Sequence, residues 1–320
     1  LQDLLRWRRD ASRDGLPPPP AQPIPRVEPD LAFVHANATA GAAMRPAVTW
    51  IGHATVLAQL GGLNVITDPM FSSRASPIAF VGPRRHQPPG LAPKQLPHID
   101  VVLVSHNHYD HLDAASIQTL FEQPGGPPDY IVPLGLKGWF DERRIDTVAE
   151  LDWWDQRRIG GVDFALVPAQ HWSGRGLHDR MRTLWGGFAV FAPDCHLFFA
   201  GDTGYSRDFA DIRARYAARQ TAAAGGGFDI ALLPIGAYAP RWFMAEQHVD
   251  VEEAVKIHRD LGAKRSLGVH WGTFQLSDEA LDEPPRKLAA IRVTEGIGED
   301  EVFVLAIGET RRVRARGLAG

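Results

Sequence analysis

Residues 101–111 read Val101-Val102-Leu103-Val104-Ser105-His106-Asn107-His108-Tyr109-Asp110-His111. Four consecutive apolar residues make a run of the buried-strand type. The chain then turns at once into three imidazoles and one carboxylate within six residues, 106–111. Packing does not account for that loop. Buried together, such groups compete for solvation and repel one another when protonated. A divalent cation removes the conflict, because neutral imidazoles and carboxylates are what it binds. His106 with His108, and Asp110 with His111, could serve two neighbouring ions.

One loop cannot complete two coordination spheres, so further donors must converge on it from a distance. Three residues follow apolar runs in the same way as His106. They are His171 in Pro168-Ala169-Gln170-His171-Trp172, Asp202 in Ala200-Gly201-Asp202-Thr203-Gly204, and His270 in Val269-His270-Trp271-Gly272. If the preceding strands, predicted at 164–167, 196–199 and 267–269, share a direction, their ends form one rim. His53, in Trp50-Ile51-Gly52-His53-Ala54-Thr55, is a further rim candidate. Asp68 closes the run Ile66-Thr67-Asp68-Pro69. It either accepts the free N–H of a liganding imidazole and fixes its tautomer, or merely starts the next turn. Cys195 sits at the opposite end of its strand from Asp202, roughly 23 Å away in extended chain, and is a poor ligand. His35, His86, His98, His178, His196 and His258 lack metal-like spacing and read as structural or surface residues.

Further strands are predicted at 48–51, 55–60, 63–67, 130–132, 187–191, 230–233 and 302–305, with Gly61-Gly62 as a hairpin turn. Helices are predicted at 112–121 and at 251–261, the latter capped by Asp250 with Glu252 and Glu253 in its first turn. Strands dominate, with helices between some of them, which fits a layered sheet sandwich with outer helices. Residues 1–45 stand apart as an arm. Leu1–Arg9 is amphipathic and basic, and Pro17-Pro18-Pro19-Pro20, Pro23, Pro25 and Pro29 follow. That proline density predicts an extended segment, poorly ordered or lying on the domain, on a second subunit or on lipid. Residues 46–320 are then the main domain, which carries the metal loop. The stretch 219–227, ending in three glycines, predicts a flexible insertion.

The 320 residues are 44% hydrophobic and 22% charged, with a net charge of −4. This excludes a disordered chain, and the charge argues against a nucleic-acid binder. A single cysteine excludes an internal disulfide, and no apolar run approaches the roughly 20 residues of a spanning helix. Only five of the 34 basic residues are Lys, which fits a GC-rich bacterial genome. A chain opening on Leu1 is expected to be a fragment from which any signal segment has been lost. Both a cytoplasmic and a peripheral membrane location remain open.

His106, His108, Asp110 and His111 resemble the His-x-His-x-Asp-His motif of the metallo-β-lactamase superfamily. The resemblance narrows with Trp50–Thr55, Thr67-Asp68-Pro69, Gly82-Pro83-Arg84-Arg85, Leu151-Asp152-Trp153-Trp154, Phe199–Tyr205, Pro234–Tyr238 and His270–Phe274, which look like N-acylphosphatidylethanolamine-hydrolysing phospholipases D. It implies an α+β fold, the four-layer αβ/βα sandwich, with two zinc ions per chain or other divalent transition metals. One ion would take His106, His108 and His171, the other Asp110, His111 and His270, with Asp202 between them. It also implies substrate contacts at Tyr109 and His248. Two metals about 3.5–4 Å apart can hold a bridging hydroxide for attack on a phosphodiester, with Asp110 and Asp202 as catalytic carboxylates. The expected partner is a phospholipid or small amphiphile, with possible peripheral membrane contact and possible homodimerisation. Arg175 could add a phosphate contact, or be a plain exposed loop arginine. The rival chemistry is a carbonyl-ester hydrolase, a lactonase or thioesterase, using the same dinuclear site.

Overall fold

Alternate residues of the N-terminal strands enter two different cores, the period-two signature of a sheet covered on both faces. The computed structural model describes residues 2–15, 20, 23–78, 80–176 and 178–316. Six strands lead the first sheet: β1 (Ala47–Gly52), β2 (Thr55–Leu60), β3 (Leu63–Thr67), β4 (Val101–Leu103), β5 (Asp129–Pro133) and β6 (Val148–Leu151). The second sheet holds β7 (Gln156–Ile159), β8 (Val162–Val167), β9 (Gly187–Phe191), β10 (His196–Phe199), β11 (Ile230–Pro234), β12 (Ser266–Val269) and β13 (Val302–Phe303). The last strand, β14 (Thr310–Arg312), returns to the first sheet beside β1.

Val56, Ala58, Val101, Leu103 and Ile131 face the core between the sheets, packing with Phe164, Phe188 and Leu197. Their neighbours Leu57, Val102, Tyr130 and Val132 face outward into a second core. That core is covered by α2 (Leu31–Ala38), α3 (Ala114–Phe121) and α4 (Lys137–Asp141), through Val34, Ile117, Leu120 and Phe140. Helices α5 (Asp208–Arg215), α7 (Val251–Leu261) and α8 (Glu283–Glu295) cover the other sheet, and the short α6 (Arg241–Met244) lies ahead of α7. The result is the four-layer αβ/βα sandwich. Asp250 caps α7 in a full capping box with Glu253, and Gly262 ends it at φ 62°, the left-handed position that suits glycine.

Strand direction builds the rim. β8 and β10 both run antiparallel to β9, and β10, β11 and β12 are mutually parallel. Residues 171, 202 and 270 therefore leave the same edge of the second sheet. In the first sheet β1 and β3 flank β2 antiparallel while β4 is parallel to β3, so residues 53, 68 and 106 also share an edge. The two edges are stitched together: Gly186 N donates to Ser105 O at 3.0 Å, and His270 N to His53 O at 3.0 Å. A Cβ at Gly201 would lie 2.6 Å from the Ser105 Cβ, so only glycine admits this approach.

Two expectations need correction. The arm is not extended throughout, because α1 (Gln2–Asp14) and α2 are helices. Both lack proline, and Asp30 caps α2 through Phe33 N. Between them the prolines act as anticipated at 25–29, where Val27 N donates to Ile307 O, Ile307 N donates to Pro25 O, and Ile24 is buried in the inter-sheet core. Pro17–Pro19 lie outside the described residues. The 219–227 stretch, expected to be flexible, is pinned instead. Arg316 donates to the carbonyls of Ala224, Gly226 and Gly227 and to the Asp229 carboxylate.

Candidate metal centre

The loop after β4 projects His106, His108, Asp110 and His111 over the joined edges, and the second sheet delivers His171, Asp202 and His270 opposite them. Two clusters result. In the first, His106 Nε2 lies 2.8 Å and His171 Nε2 3.3 Å from His108 Nδ1. In the second, His111 Nε2 and His270 Nε2 are 3.2 Å apart, and Asp110 Oδ2 is 3.2 Å from the former and 3.4 Å from the latter. Asp202 faces both. Its Oδ2 is 3.1 Å from His111 Nε2 and 4.0 Å from both His106 Nε2 and His171 Nε2, while Oδ1 is 3.2 Å from His270 Nε2.

Hydrogen bonding on the far side of each ring decides what faces inward. Ser105 Oγ, 2.5 Å from Asp68 Oδ2, gives its only proton to that carboxylate and must accept from His106 Nδ1 at 2.9 Å. His111 Nδ1 donates to Asp68 Oδ2 at 2.6 Å, and His171 Nδ1 donates to Gln247 O at 2.9 Å. The Nε2 atoms of His106, His111 and His171 therefore carry lone pairs in the neutral rings. Lone pairs pointing at one another across about 3 Å repel unless a cation sits among them. Four-coordinate zinc with ligands at about 2.0–2.1 Å sets them about 3.3–3.4 Å apart. The second cluster's 3.1–3.4 Å separations match that spacing. The donor set fits divalent metal.

Electrostatics keep His106, His108 and His171 neutral, whereas His111, without a cation beside it, is pulled toward its protonated form by the carboxylates. Burial, reinforced by the surrounding histidines, drives His106 and His171 well below the ordinary imidazole value, and burial brings His108 down to about 4. For His111, burial is overcome by Asp202, Asp110 and Asp68, and the ring is held well above its ordinary value. Burial raises the Asp202 carboxyl, but His111 and His270 outweigh it and keep the group well below the carboxylate range. Buried Asp202 Oδ1, His108 Nε2, His248 Nδ1 and His270 Nδ1 have no hydrogen-bond partner among the described residues.

Several sequence alternatives resolve here. Asp68 is the orienting carboxylate rather than a turn starter, fully buried and bonded to Ser105 and His111. His53 joins the second cluster, its Nε2 2.9 Å from Asp110 Oδ2. His53, Asp68 and His270 have φ of 55°, 32° and 63°, strained left-handed backbone gathered at one site. Cys195 is buried away from the donors, and His258 is structural, bonded to Ser266 and Glu301. His248 lies beside the centre, its Nδ1 3.9 Å from Asp202 Oδ2 and its ring 5.1 Å from that of His171. Tyr109, expected to contact substrate, lines a cavity beside the metal loop. Its hydroxyl donates to Arg175 O at 3.0 Å, and none of the metal-site donors lines that cavity. Arg175 is half-buried rather than exposed, donating to Asn107 O and Leu112 O and so bracing the metal loop. Ser105 and Gln247 escaped the sequence reading because an imidazole's outer partner carries no spacing signature of its own.

Residues 63–271 match the beta-lactamase superfamily domain. The chain belongs to the metallo-β-lactamase superfamily and is a metal-dependent hydrolase of that fold. It is 39% identical over 266 residues to N-acyl-phosphatidylethanolamine-hydrolyzing phospholipase D 1 of Caenorhabditis elegans, covering 80% of this chain and 72% of that protein. It is 28% identical over 268 residues to a UPF0173 metal-dependent hydrolase of Methanopyrus kandleri, covering 82% of this chain and 98% of that one. Among solved structures, an isothiocyanate hydrolase from Delia radicum gut bacteria superposes with a TM-score of 0.64 at 20% identity, over 84% of this chain and all of that one. That likeness concerns the fold.

Proposed function

We propose that this protein is a phosphodiester hydrolase of phospholipase D type, acting on N-acylphosphatidylethanolamine or a related amphiphilic phosphodiester. The observation that carries the reading is the 39% identity to a phospholipase of that name across 80% of the chain, the metal loop included. In this reading His106, His108 and His171 hold one zinc ion, Asp110, His111 and His270 hold a second, and Asp202 serves both. Bound divalent cations supply Lewis acidity and an activated water at neutral pH. The chain's own contribution is preorganisation. Ser105, Asp68 and Gln247 fix three imidazoles in the tautomer that presents Nε2 inward. Asp110 and Asp202 concentrate negative charge where the cations sit, and His53 braces Asp110 from outside. This reading assigns contact with the substrate head group or the departing alcohol to His248, whose Nδ1 lies 3.9 Å from Asp202 Oδ2. Tyr109, between His108 and Asp110 in the metal loop, is the second residue this reading assigns to substrate contact.

The same reading makes the partner a lipid aggregate approached peripherally. Helix α1 packs Trp7 on Phe243 with ring centroids 5.2 Å apart, and it leaves Leu5 and Trp242 exposed beside Arg6. No described helix is long and apolar enough to cross a membrane.

The test is product identity. Metal-loaded protein is assayed side by side on N-acylphosphatidylethanolamine, a soluble bis-aryl phosphodiester and acyl lactones. Phosphatidic acid and an N-acylethanolamine are the expected products. Hydrolysis confined to lactones or thioesters, under every metal loading, would give the site to carbonyl-ester chemistry.

A further inference from the structure

Tyr109 separates two metal-loop ligands yet faces a cavity of about 680 Å³ that none of the metal-site donors lines. Three arginines from three distant segments share it: Arg74 from the loop after β3, Arg143 from just after α4, and Arg175 from the loop after β8. They are held there by neutral groups. Arg175 lies over the Tyr109 ring at 4.0 Å and donates to the carbonyls of Asn107 and Leu112. Arg143 lies over the Trp139 ring at 3.7 Å and donates to Trp139 O. The same indole is 5.6 Å from the Arg175 Cζ, so two guanidiniums share one aromatic wall. Arg74 donates to Gly82 O.

Cations gathered this way normally find carboxylates, and these do not. Among the described residues no carboxylate forms an ion pair with the guanidinium of Arg74 or Arg175, and Arg143 has only the surface-exposed Glu142 at 3.7 Å. Two acidic residues line the cavity, but both are committed to other donors. Asp113 accepts from Ser72 and Ser116, and Asp179 accepts from the backbone N–H groups of Arg175 and Gly176. Burial lowers the Arg175 guanidinium from its ordinary value and Arg143 adds to the fall, while Tyr109 and Asp113 oppose it without restoring it. Two guanidiniums on aromatic walls and a third beside them, with no carboxylate inside the cavity ion-paired to any of the three, make a receptor awaiting an anion.

We infer that this cavity binds a phosphate group, at a site separate from the metal centre and independent of what the metal centre hydrolyses. Phosphate is favoured over a single carboxylate because its tetrahedral oxygens can meet guanidiniums arriving from three directions. The group could belong to a soluble phosphate ester or to a lipid head group.

The experiment is equilibrium dialysis of the metal-loaded protein against inorganic phosphate, comparing wild type with Arg143→Glu and the milder Arg143→Gln. Wild type is expected to hold a phosphate that Arg143→Glu loses and Arg143→Gln weakens by about tenfold. Metal content should be unchanged, and turnover of a soluble aryl diester should stay within about twofold. If Arg143→Glu fails to fold, Arg143→Gln carries the comparison alone. Phosphatidylcholine vesicles with and without phosphatidic acid identify the source. Binding that needs phosphatidic acid and is displaced by inorganic phosphate assigns a lipid head group. Phosphate binding without such vesicle binding assigns a soluble ester. Equal phosphate stoichiometry and affinity in wild type and a folded Arg143 variant would overturn the site, whichever substrate the metal centre hydrolyses.

Discussion

Asp68→Asn isolates the second layer of the metal centre. The Asp68 carboxylate makes three bonds: Oδ1 accepts Ser105 N at 2.7 Å, and Oδ2 accepts Ser105 Oγ at 2.5 Å and His111 Nδ1 at 2.6 Å. An amide of the same shape has one acceptor. If its oxygen takes the Oδ2 position, its NH2 meets the Ser105 N–H and that bond becomes a repulsion. If the oxygen takes the Oδ1 position, the NH2 faces His111 Nδ1, and the imidazole can accept only by moving its proton to Nε2, the atom aimed at His270. Either arrangement loses at least one bond to a charged group, worth about 1.5–3 kcal/mol. The second arrangement also abolishes a ligand atom. Loss of an orienting partner of this kind costs about 10- to 100-fold in metal affinity. Chelator competition should therefore show one of the bound ions released about 10- to 100-fold more readily, with the other little changed, and the apo protein should also be destabilised. Wild-type affinity for both ions would show that Asp68 does not set the His111 tautomer, and the lone-pair argument for the centre would fail with it.

Metal analysis of protein purified without chelator should find about two ions per chain, since seven donors serve two spheres; a stoichiometry well below one would remove the site. Asp202→Asn should abolish nearly all turnover in a folded protein, because an amide lacks the charge to serve two cations, and near-wild-type turnover with unchanged metal would remove Asp202 from that role. Deleting residues 1–15, which spares the buried Ile24, should leave hydrolysis of a soluble diester intact and lower activity on vesicles; equal loss on both would make α1 part of the fold's support. His196, lowered to about 4 by burial and then by Arg316, stays neutral in the folded state while its unfolded counterpart protonates near 6.5. Its contribution is thus present above about 6.5 and lost as pH falls toward 4, so urea midpoints for His196→Asn should rise relative to wild type over that window, and a pH-independent difference would contradict the assignment.

Most of the sheet sandwich was legible because its strands are buried on both faces and read as apolar runs. What escaped has physical reasons. β7 has the sequence Gln156-Arg157-Arg158-Ile159, an edge strand whose exposed residues carry charge rather than apolar periodicity. β14, Thr310-Arg311-Arg312, is a second edge of the same kind. Helix α8 begins Glu283-Pro284-Pro285, which looks like a break until the prolines are seen to occupy the first turn, where no N–H is required. At the site, the donors that follow strand ends were legible because each stands just past an apolar run, while the common direction that gathers them was supplied by the pairing of β8 and β10 with β9. The aim of Tyr109 was not legible. Sitting between two donors in sequence says nothing of which way a ring turns once Arg175 offers it both a carbonyl and a cation.

The position of the centre also constrains how it can fail. His106, His108, Asp110 and His111 come from the loop of one sheet, while His171, Asp202 and His270 come from the edge of the other, and each cluster draws on both. A cation in either cluster is therefore a cross-link between the two halves of the sandwich as well as a reagent. Without cations, buried imidazoles pulled down by desolvation stand against carboxylates held ionised by His111, and the balance rests on a few hydrogen bonds. Metal affinity and fold stability should consequently move together here. Substitutions around the rim will be read correctly only when bound metal, unfolding and turnover are measured on the same protein, because a ligand lost from either sheet loosens the seam on which all the others depend.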